Sequence, residues 1–262
     1  MLKGLLLVAI LFGVTLFAGT KVEYGISILG MKMDYREYSE QNQLLDSEES
    51  NFNDILGAEF IYRYFLNPNS NIDVKFLGVE GNTKYTGSYV GTGNAYGSLV
   101  SSTKNKIYDI ALGYNLKKAS TFHSISMLGG LGVGYRYWYR ELSSTQAEEY
   151  SWYSIRGNLG MEYDHKDFSA SVLIEYQYGI KPIMQATGFK DDFKLASANI
   201  IKLSVPLRYN VYKNLDLTCA YIFERQDIKE SNVVYDNSLN GYVEPDSTAY
   251  NQYIKIGMLL KY

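Results

Sequence analysis

Tyr253-Ile254-Lys255-Ile256-Gly257-Met258-Leu259-Leu260-Lys261-Tyr262 closes the chain. Ile254, Ile256, Met258, Leu260 and Tyr262 fall on one side of an extended chain, and Tyr253, Lys255, Gly257, Leu259 and Lys261 on the other. Successive side chains of a strand point to opposite faces. The stretch therefore reads as a strand with one apolar face and one face carrying two lysines and a glycine. A sheet in water shows the same alternation, so the rest of the chain must say which medium the apolar face meets.

Working back from that final strand, 249–262, the alternation recurs. A ninth strand, 215–225, sets Leu215, Leu217, Cys219, Tyr221 and Phe223 against Asp216, Thr218 and Glu224. An eighth, 199–211, sets Ile201, Leu203, Val205, Leu207 and Tyr209 against Lys202, Ser204 and Arg208. A seventh, 168–178, opposes Phe168, Val172, Ile174 and Tyr176 to Ser169, Ser171, Glu175 and Gln177. A sixth, 151–163, opposes Tyr153, Ile155, Leu159 and Met161 to Trp152, Arg156, Asn158 and Glu162. The fifth, 123–140, puts Leu131, Val133, Tyr135, Tyr137 and Tyr139 opposite Gly132, Gly134, Arg136, Trp138 and Arg140. The fourth, 104–116, puts Tyr108, Ile110 and Leu112 opposite Asp109. The third, 72–84, blurs at Leu77-Gly78-Val79. The second, 55–66, puts Leu56, Phe60 and Tyr64 opposite Glu59 and Arg63. In the first, 21–37, the phase slips near Leu29-Gly30 and resumes as Met31, Met33 and Tyr35. A glycine at a phase slip predicts a β-bulge.

That gives about ten strands, and their connections sort by length. The segments 67–71, 117–121, 164–167 and 212–214 are short and polar. The segments 39–54, 85–103, 141–150, 179–198 and 226–248 read as long loops. Short turns at one end and long loops at the other are the habit of transmembrane β-barrels. Charges keep to one face: Glu59, Arg63, Asp109, Arg136, Arg140, Arg156, Glu162, Glu175, Lys202 and Arg208. In a membrane barrel such charges line the lumen, where they pair or meet water, while the apolar face meets lipid. Tyrosines toward both strand ends fit two interfacial belts.

Composition agrees. The 262 residues include 26 tyrosines, four prolines and one cysteine, with a net charge of −3. No basic patch argues for nucleic acid, and a single cysteine excludes an intrachain disulfide or thiolate metal site. Residues 1–18, with Lys3 followed by an apolar run to Phe17, read as a secretory signal peptide, too short for a spanning helix. Residues 19–262 then form one domain. No later apolar run is long enough to span as a helix, so a membrane reading requires a closed barrel, which leaves no backbone group unpaired in lipid.

The end of the chain resembles the C-terminal signal of Gram-negative outer-membrane β-barrels, matched here by Lys255, Gly257, Leu260 and Tyr262. The whole of 19–262 resembles a small ten-stranded outer-membrane barrel: all-β, antiparallel, up-and-down. Tyr85-Thr86-Gly87-Ser88, Gly134-Tyr135-Arg136-Tyr137-Trp138-Tyr139-Arg140 and Glu244-Pro245-Asp246-Ser247 resemble strings of an uncharacterised proteobacterial family of such barrels. The resemblance implies the cell outer membrane, with lipid, lipopolysaccharide and the barrel-assembly machinery as partners, and carries no activity.

Two readings of function compete. One is a non-enzymatic barrel, either structural and surface-interacting or a narrow pore for small solutes. The other is a hydrolase resembling the omptin proteases, which place carboxylates and a histidine at the extracellular rim. A general base near neutral pH is most often histidine. His123 and His165 both map to short turns, and Asp191-Asp192 in a long loop stand beside Lys190 and Lys194 rather than a histidine. Acidic pairs at Glu48-Glu49 with Asp46, at Glu148-Glu149, and at Glu244 with Asp246 suit hard cations chemically but read as solvated loop charge. No cofactor and no metal site is expected. The lumen charges read as a packed salt-bridge plug more than as a pore lining, since a ten-stranded interior is narrow enough for side chains to fill.

Overall fold

The computed structural model describes residues 21–88, 95–120, 124–236 and 238–262. The signal-peptide reading of 1–18 and His123 lie outside them. In chain order the strands are β1 (Val22–Tyr38), β2 (Leu44–Glu49), β3 (Ile55–Asn67), β4 (Ser70–Gly87), β5 (Leu99–Ala119), β6 (Ile125–Ser143) and β7 (Gln146–His165). Then follow β8 (Phe168–Ala186), β9 (Phe193–Lys194), β10 (Ala198–Tyr212), β11 (Leu215–Ile228), β12 (Val234–Tyr235), β13 (Gly241–Tyr242) and β14 (Asp246–Lys261).

Each long strand pairs antiparallel with its neighbours, and β14 returns to β1 in register from Glu23↔Lys261 to Tyr38↔Asp246. The ends are sewn together by Val22 N–H to Tyr262 O at 3.0 Å and Tyr262 N–H to Val22 O at 2.9 Å. The result is a closed ten-stave barrel, with no free sheet edge. β2 and β3 form a single stave, interrupted at 50–54: β1 pairs with β3 in its first half and with β2 in its second.

The polarity of the wall decides its medium. Leu131, Leu159, Ile28, Ile256 and Ile155 are between 53% and 73% exposed on the outer face, whereas Arg136, Arg140, Glu48 and Glu224 are at most 1% exposed inside. Apolar out and ionic in is the order of a barrel in lipid. Among the described residues no helix is long and apolar enough to cross a membrane.

The staves stand taller than the lipid. A 19-residue strand such as β6, at ~3.3 Å per residue and a tilt near 40°, reaches ~48 Å, about twice the ~25 Å apolar band of such barrels. At the end away from the short turns the outer face becomes ionic, with Lys32, Glu80, Lys104, Lys106, Glu141, Glu149 and Arg225 replacing Leu, Ile and Tyr. Glu80 pairs there with Lys104 at 2.9 Å. On the inner face at the same level Met31, Met33, Tyr35, Ile107, Trp138, Tyr150, Ile200 and Ile228 form a buried apolar core. Once the outer face meets water, the order of a soluble protein returns.

That inversion corrects two expectations. The slip at Leu29-Gly30 is not a bulge, for β1 runs unbroken against β14. Leu29, Met31 and Met33 simply occupy the inner face, which turns apolar at that height. Gly30 is needed for another reason: a Cβ there would lie 2.4 Å from the Phe52 carbonyl oxygen, where 50–54 crosses it. The blur at Leu77-Gly78-Val79 has the same origin, with Val79 buried and Glu80 outside. The long loops are likewise partly strand. Residues 39–54 contain β2, and 141–150 is a tight hairpin between β6 and β7. The ends of 85–103, 179–198 and 226–248 continue β4, β5, β8, β10, β11 and β14.

Candidate functional site: the ionic interior

Strand alternation delivers the charges to the interior, and chords between non-adjacent staves show how it is filled. Three tiers lie along the axis. At the short-turn end, Lys117 of β5 meets Glu162, and Asp164 at 2.6 Å, both of β7. Arg63 of β3 holds Glu23 of β1 at 2.5 Å. Arg208 of β10 lies 3.6 Å from Asp216 and 3.9 Å from Glu23, and Lys261 holds Asp216 at 2.6 Å. Lys255 reaches Glu59 at 2.6 Å, and Glu175 accepts from Gln177 at 2.6 Å.

The middle tier spans the lumen. Arg136 on β6 donates to Asp109 on β5 at 3.0 Å, to both carboxylate oxygens of Glu224 on β11 at 2.9 Å, and to Gln226 at 2.8 Å. β6 and β11 are not neighbours in the sheet, so these bonds run from wall to wall. Arg156 donates to Asp109 at 2.5 Å, Lys202 sits 2.9 Å from Glu224, and Asn251 donates to Glu224 at 3.0 Å. A two-pronged guanidinium matched to a carboxylate gives direction as well as attraction. These charges are stable only as a set, because a buried ion left without its partner costs several kcal/mol.

The upper tier lies above the apolar belt. Arg140 donates to Glu48 at 2.8 Å, Glu148 at 2.8 Å, Glu37 at 3.0 Å and the Tyr150 hydroxyl at 3.1 Å. Its guanidinium stands 4.3 Å from the Tyr35 ring centre and 5.4 Å from that of Trp138, within cation–π range. Glu48 takes two further donors, Thr83 at 2.5 Å and Asn105 at 2.9 Å. Tyr150 donates to Glu244, and Tyr85 donates to Asp46 at 3.2 Å. Burial, and after it the Glu37 charge, push the Asp46 carboxyl up to about 9. Burial is also the main cause raising Glu148 to about 7, against the pull of Arg140. Glu244 is raised well above the carboxylate range by burial and by Glu37 and Glu148.

This tier overturns the reading of Glu48, Glu148 and Glu244 as solvated loop charge. The first two pairs sit on strands and split: Glu48 and Glu148 turn in, Glu49 and Glu149 turn out. Glu244 is buried just before β14, while Asp246 pairs outside with Lys229. Glu23, Tyr35, Glu37, Asp216, Glu224 and Gln226 also belong to the interior and were missing from the sequence-based set. Their parity with neighbouring charges was the available signal, hidden for Tyr35 and Glu37 by the apparent phase slip in β1.

Among the described residues the candidates for hydrolysis do not assemble. His165 ends β7 at the short turns, stacked on Tyr163, while Asp164 is held by Lys117. Asp191 and Asp192 line a shallow groove of about 350 Å³ with Glu149, Gln185 and Lys190, and Asp192 accepts from Gln185 at 2.9 Å. Among the described residues no three His, Cys, Asp or Glu side chains group as metal ligands.

In the terminal strand, Leu260 and Tyr262 are outer-face residues and Lys255 an inner one. Gly257 lies where β14 crosses β1 closely, and a Cβ would fall 2.3 Å from the Ile26 carbonyl oxygen.

A closed wall, apolar outside and ionic within, defines an integral outer-membrane β-barrel. A known structure shares the architecture. The outer-membrane protease OmpT of Escherichia coli superposes with a TM-score of 0.61 at 12% identity, over 92% of this chain and 97% of that one, a likeness of fold alone. OprG of Pseudomonas aeruginosa gives 0.41 at 11% identity, over 94% and 96%. Ail of Yersinia pestis gives 0.35 at 15% identity, over 92% and 98%. No family model matches the sequence, and no curated protein does.

Proposed function

We propose that this barrel is a plugged, non-enzymatic surface protein, with short turns in the periplasm and its tall end outside the cell. The observation that carries the reading is the middle tier, where Arg136 ties Asp109 and Glu224 across the lumen. Water-borne solutes would have to break a fully paired, buried ion set, at a cost of several kcal/mol per uncompensated charge. The narrow-pore reading therefore yields to the plug. The tall end, held well clear of the lipid, is the part available for contact with other molecules. Lipopolysaccharide and outer-membrane lipid surround the belt, and β14, with Lys255, Gly257, Leu260 and Tyr262, is the strand that the assembly machinery reads.

Planar-bilayer recording tests the plug. The refolded protein is expected to give no unitary current steps at neutral pH. Regular steps from wild-type protein, lost on blocking no loop, would replace the plug with a pore. The hydrolase alternative is tested on the same material with peptide and lipid substrates. Activity abolished by Asp191→Asn or Asp192→Asn would establish it.

A further inference from the structure

The three short strings singled out in the sequence are far apart in the chain, yet they meet in the upper tier. Tyr85 comes from the first, Trp138 and Arg140 from the second, Glu244 from the third. Around Arg140 stand Glu37 of β1, Asp46 and Glu48 of β2, Glu148 of β7 and Glu244 of the segment before β14. The other polar groups facing them are Tyr35, Tyr85 and Tyr150, with Thr83 and Asn105 from β4 and β5. Beneath lies the middle tier, where Arg136 is already committed to Asp109 and Glu224. One guanidinium cannot neutralise this many buried carboxylates, and a buried carboxylate without a counter-charge takes up a proton.

The hydrogen bonds say where protons sit. A phenol has one O–H to give. Tyr150 oxygen accepts from Arg140 at 3.1 Å and lies in hydrogen-bond contact with both Glu244 and Glu148, the latter at 3.2 Å. Only one contact can use the phenol proton, so the other needs a carboxyl proton on Glu148 or Glu244. Asp46 Oδ1 meets no donor among the described residues, while its carboxyl lies beside that of Glu37. Asp46 stands opposite Glu37 in the β1–β2 register, and a proton on Asp46 removes the clash of two like charges. Among the described residues the carboxylates do not group as metal ligands, and the contacts of the Tyr150 oxygen call for a carboxyl proton.

We propose that this chamber is a proton-operated clasp, in which carboxyl protons on Glu148, Glu244 and Asp46 hold the 229–245 segment down on the tall end. Glu244 is the segment's charged contact with the barrel interior, through Tyr150, beside Val234 in the apolar core and the bridges of Ser231 to Leu195 and Asp236 to Phe189. The segment's own sheet is slight, only Val234↔Tyr242 and Tyr235↔Gly241. When the protons leave to water, like charges face one another around a single arginine and the Glu244 tie is lost. A carboxyl held above its unfolded value stabilises the closed form fully below that unfolded value, near 4. The contribution fades as pH rises through the folded values, about 7 for Glu148 and about 9 for Asp46. The clasp is therefore closed in acid and opens toward alkaline pH.

Hydrogen exchange of the refolded full chain in detergent micelles, read by mass spectrometry, tests the clasp. After correction for intrinsic exchange rates, amides of 229–245 are expected to exchange at least ten-fold faster at pH 9 than at pH 5, with β6–β8 unchanged. The Glu148→Gln/Glu244→Gln variant, uncharged at every pH, is expected to keep the segment protected at pH 9. Asp46→Asn serves as a second variant, moving the transition to higher pH, should the first fail the folded-barrel gel assay. Equal protection at both pH values in wild-type protein would overturn the proposal. So would a transition unaltered in folded variants, or one that shifts on adding magnesium or EDTA, which would assign the chamber to a metal.

Discussion

At the scale of single residues, the interior and the seam impose opposite demands. Arg136 is 1% exposed and holds two carboxylates at once. Arg136→Met leaves Asp109 and Glu224 facing each other with less compensation, and is expected to cost ~3–5 kcal/mol. Replacing Arg136, Asp109 and Glu224 together by apolar residues is expected to cost much less, since no ion is left alone. Urea titration of the refolded protein in micelles compares the two. Gly257 answers to the seam instead. Gly257→Ala pushes a methyl against the β1 backbone and is expected to cost ~1–3 kcal/mol. Gly129→Ala, whose added carbon would make only ordinary contacts, with Leu159 at 3.5 Å and the Asn158 carbonyl oxygen at 3.8 Å, should be near neutral in the same titration. Equal effects would mean that the close crossing of β14 and β1 is not what Gly257 serves.

At the scale of the strand, one element passes through two media. β1 carries Ile26 and Ile28 outward in its first half, at 55% and 70% exposure, and Met31 and Met33 inward in its second, at 0% and 1%. The chain does not shift register; the solvent changes. Two substitutions separate the halves. Leu131→Arg, on the lipid face of β6, is expected to cost ~2–4 kcal/mol in bilayers and much less in a zwitterionic detergent that can thin around it. Met33→Ala, in the core above the belt, is expected to cost ~2–5 kcal/mol in either medium, as a cavity does. Stability measured in both media tells the halves apart, and a medium-independent Leu131→Arg would place that residue outside the lipid.

At the scale of the whole molecule, the barrel is stapled from wall to wall as well as along its seams. Closure joins β1 to β14 over the full height, and the lumen chords join staves that never touch in the sheet. The protein is therefore expected to migrate differently on gels before and after boiling, with the folded form persisting in mild detergent at room temperature. Above the membrane the same staves carry a second, apolar core, which gives the tall end the packing of a soluble domain. The core around Trp138, which donates to Asn105 at 2.8 Å, is expected to stay intact from pH 5 to pH 9, as read by near-UV circular dichroism.

The amino-acid order by itself determined that this chain is a ten-stave barrel, because a period of two survives any environment and turn composition punctuates it. It also placed Glu59, Arg63, Asp109, Arg136, Arg156, Lys202 and Arg208 on one face, since parity is local. It could not say where each stave leaves the lipid. An inner methionine followed by an outer lysine reads as a broken pattern until the height of the membrane is known. Nor could it bring Glu48, Glu148 and Glu244 to one arginine. Those residues are joined only by closure of the sheet and by the stagger of its staves, and sequence spacing carries no trace of either. Tertiary structure alone decided that one member of each acidic pair lies in a buried chamber, because burial, unlike periodicity, belongs to the assembled wall.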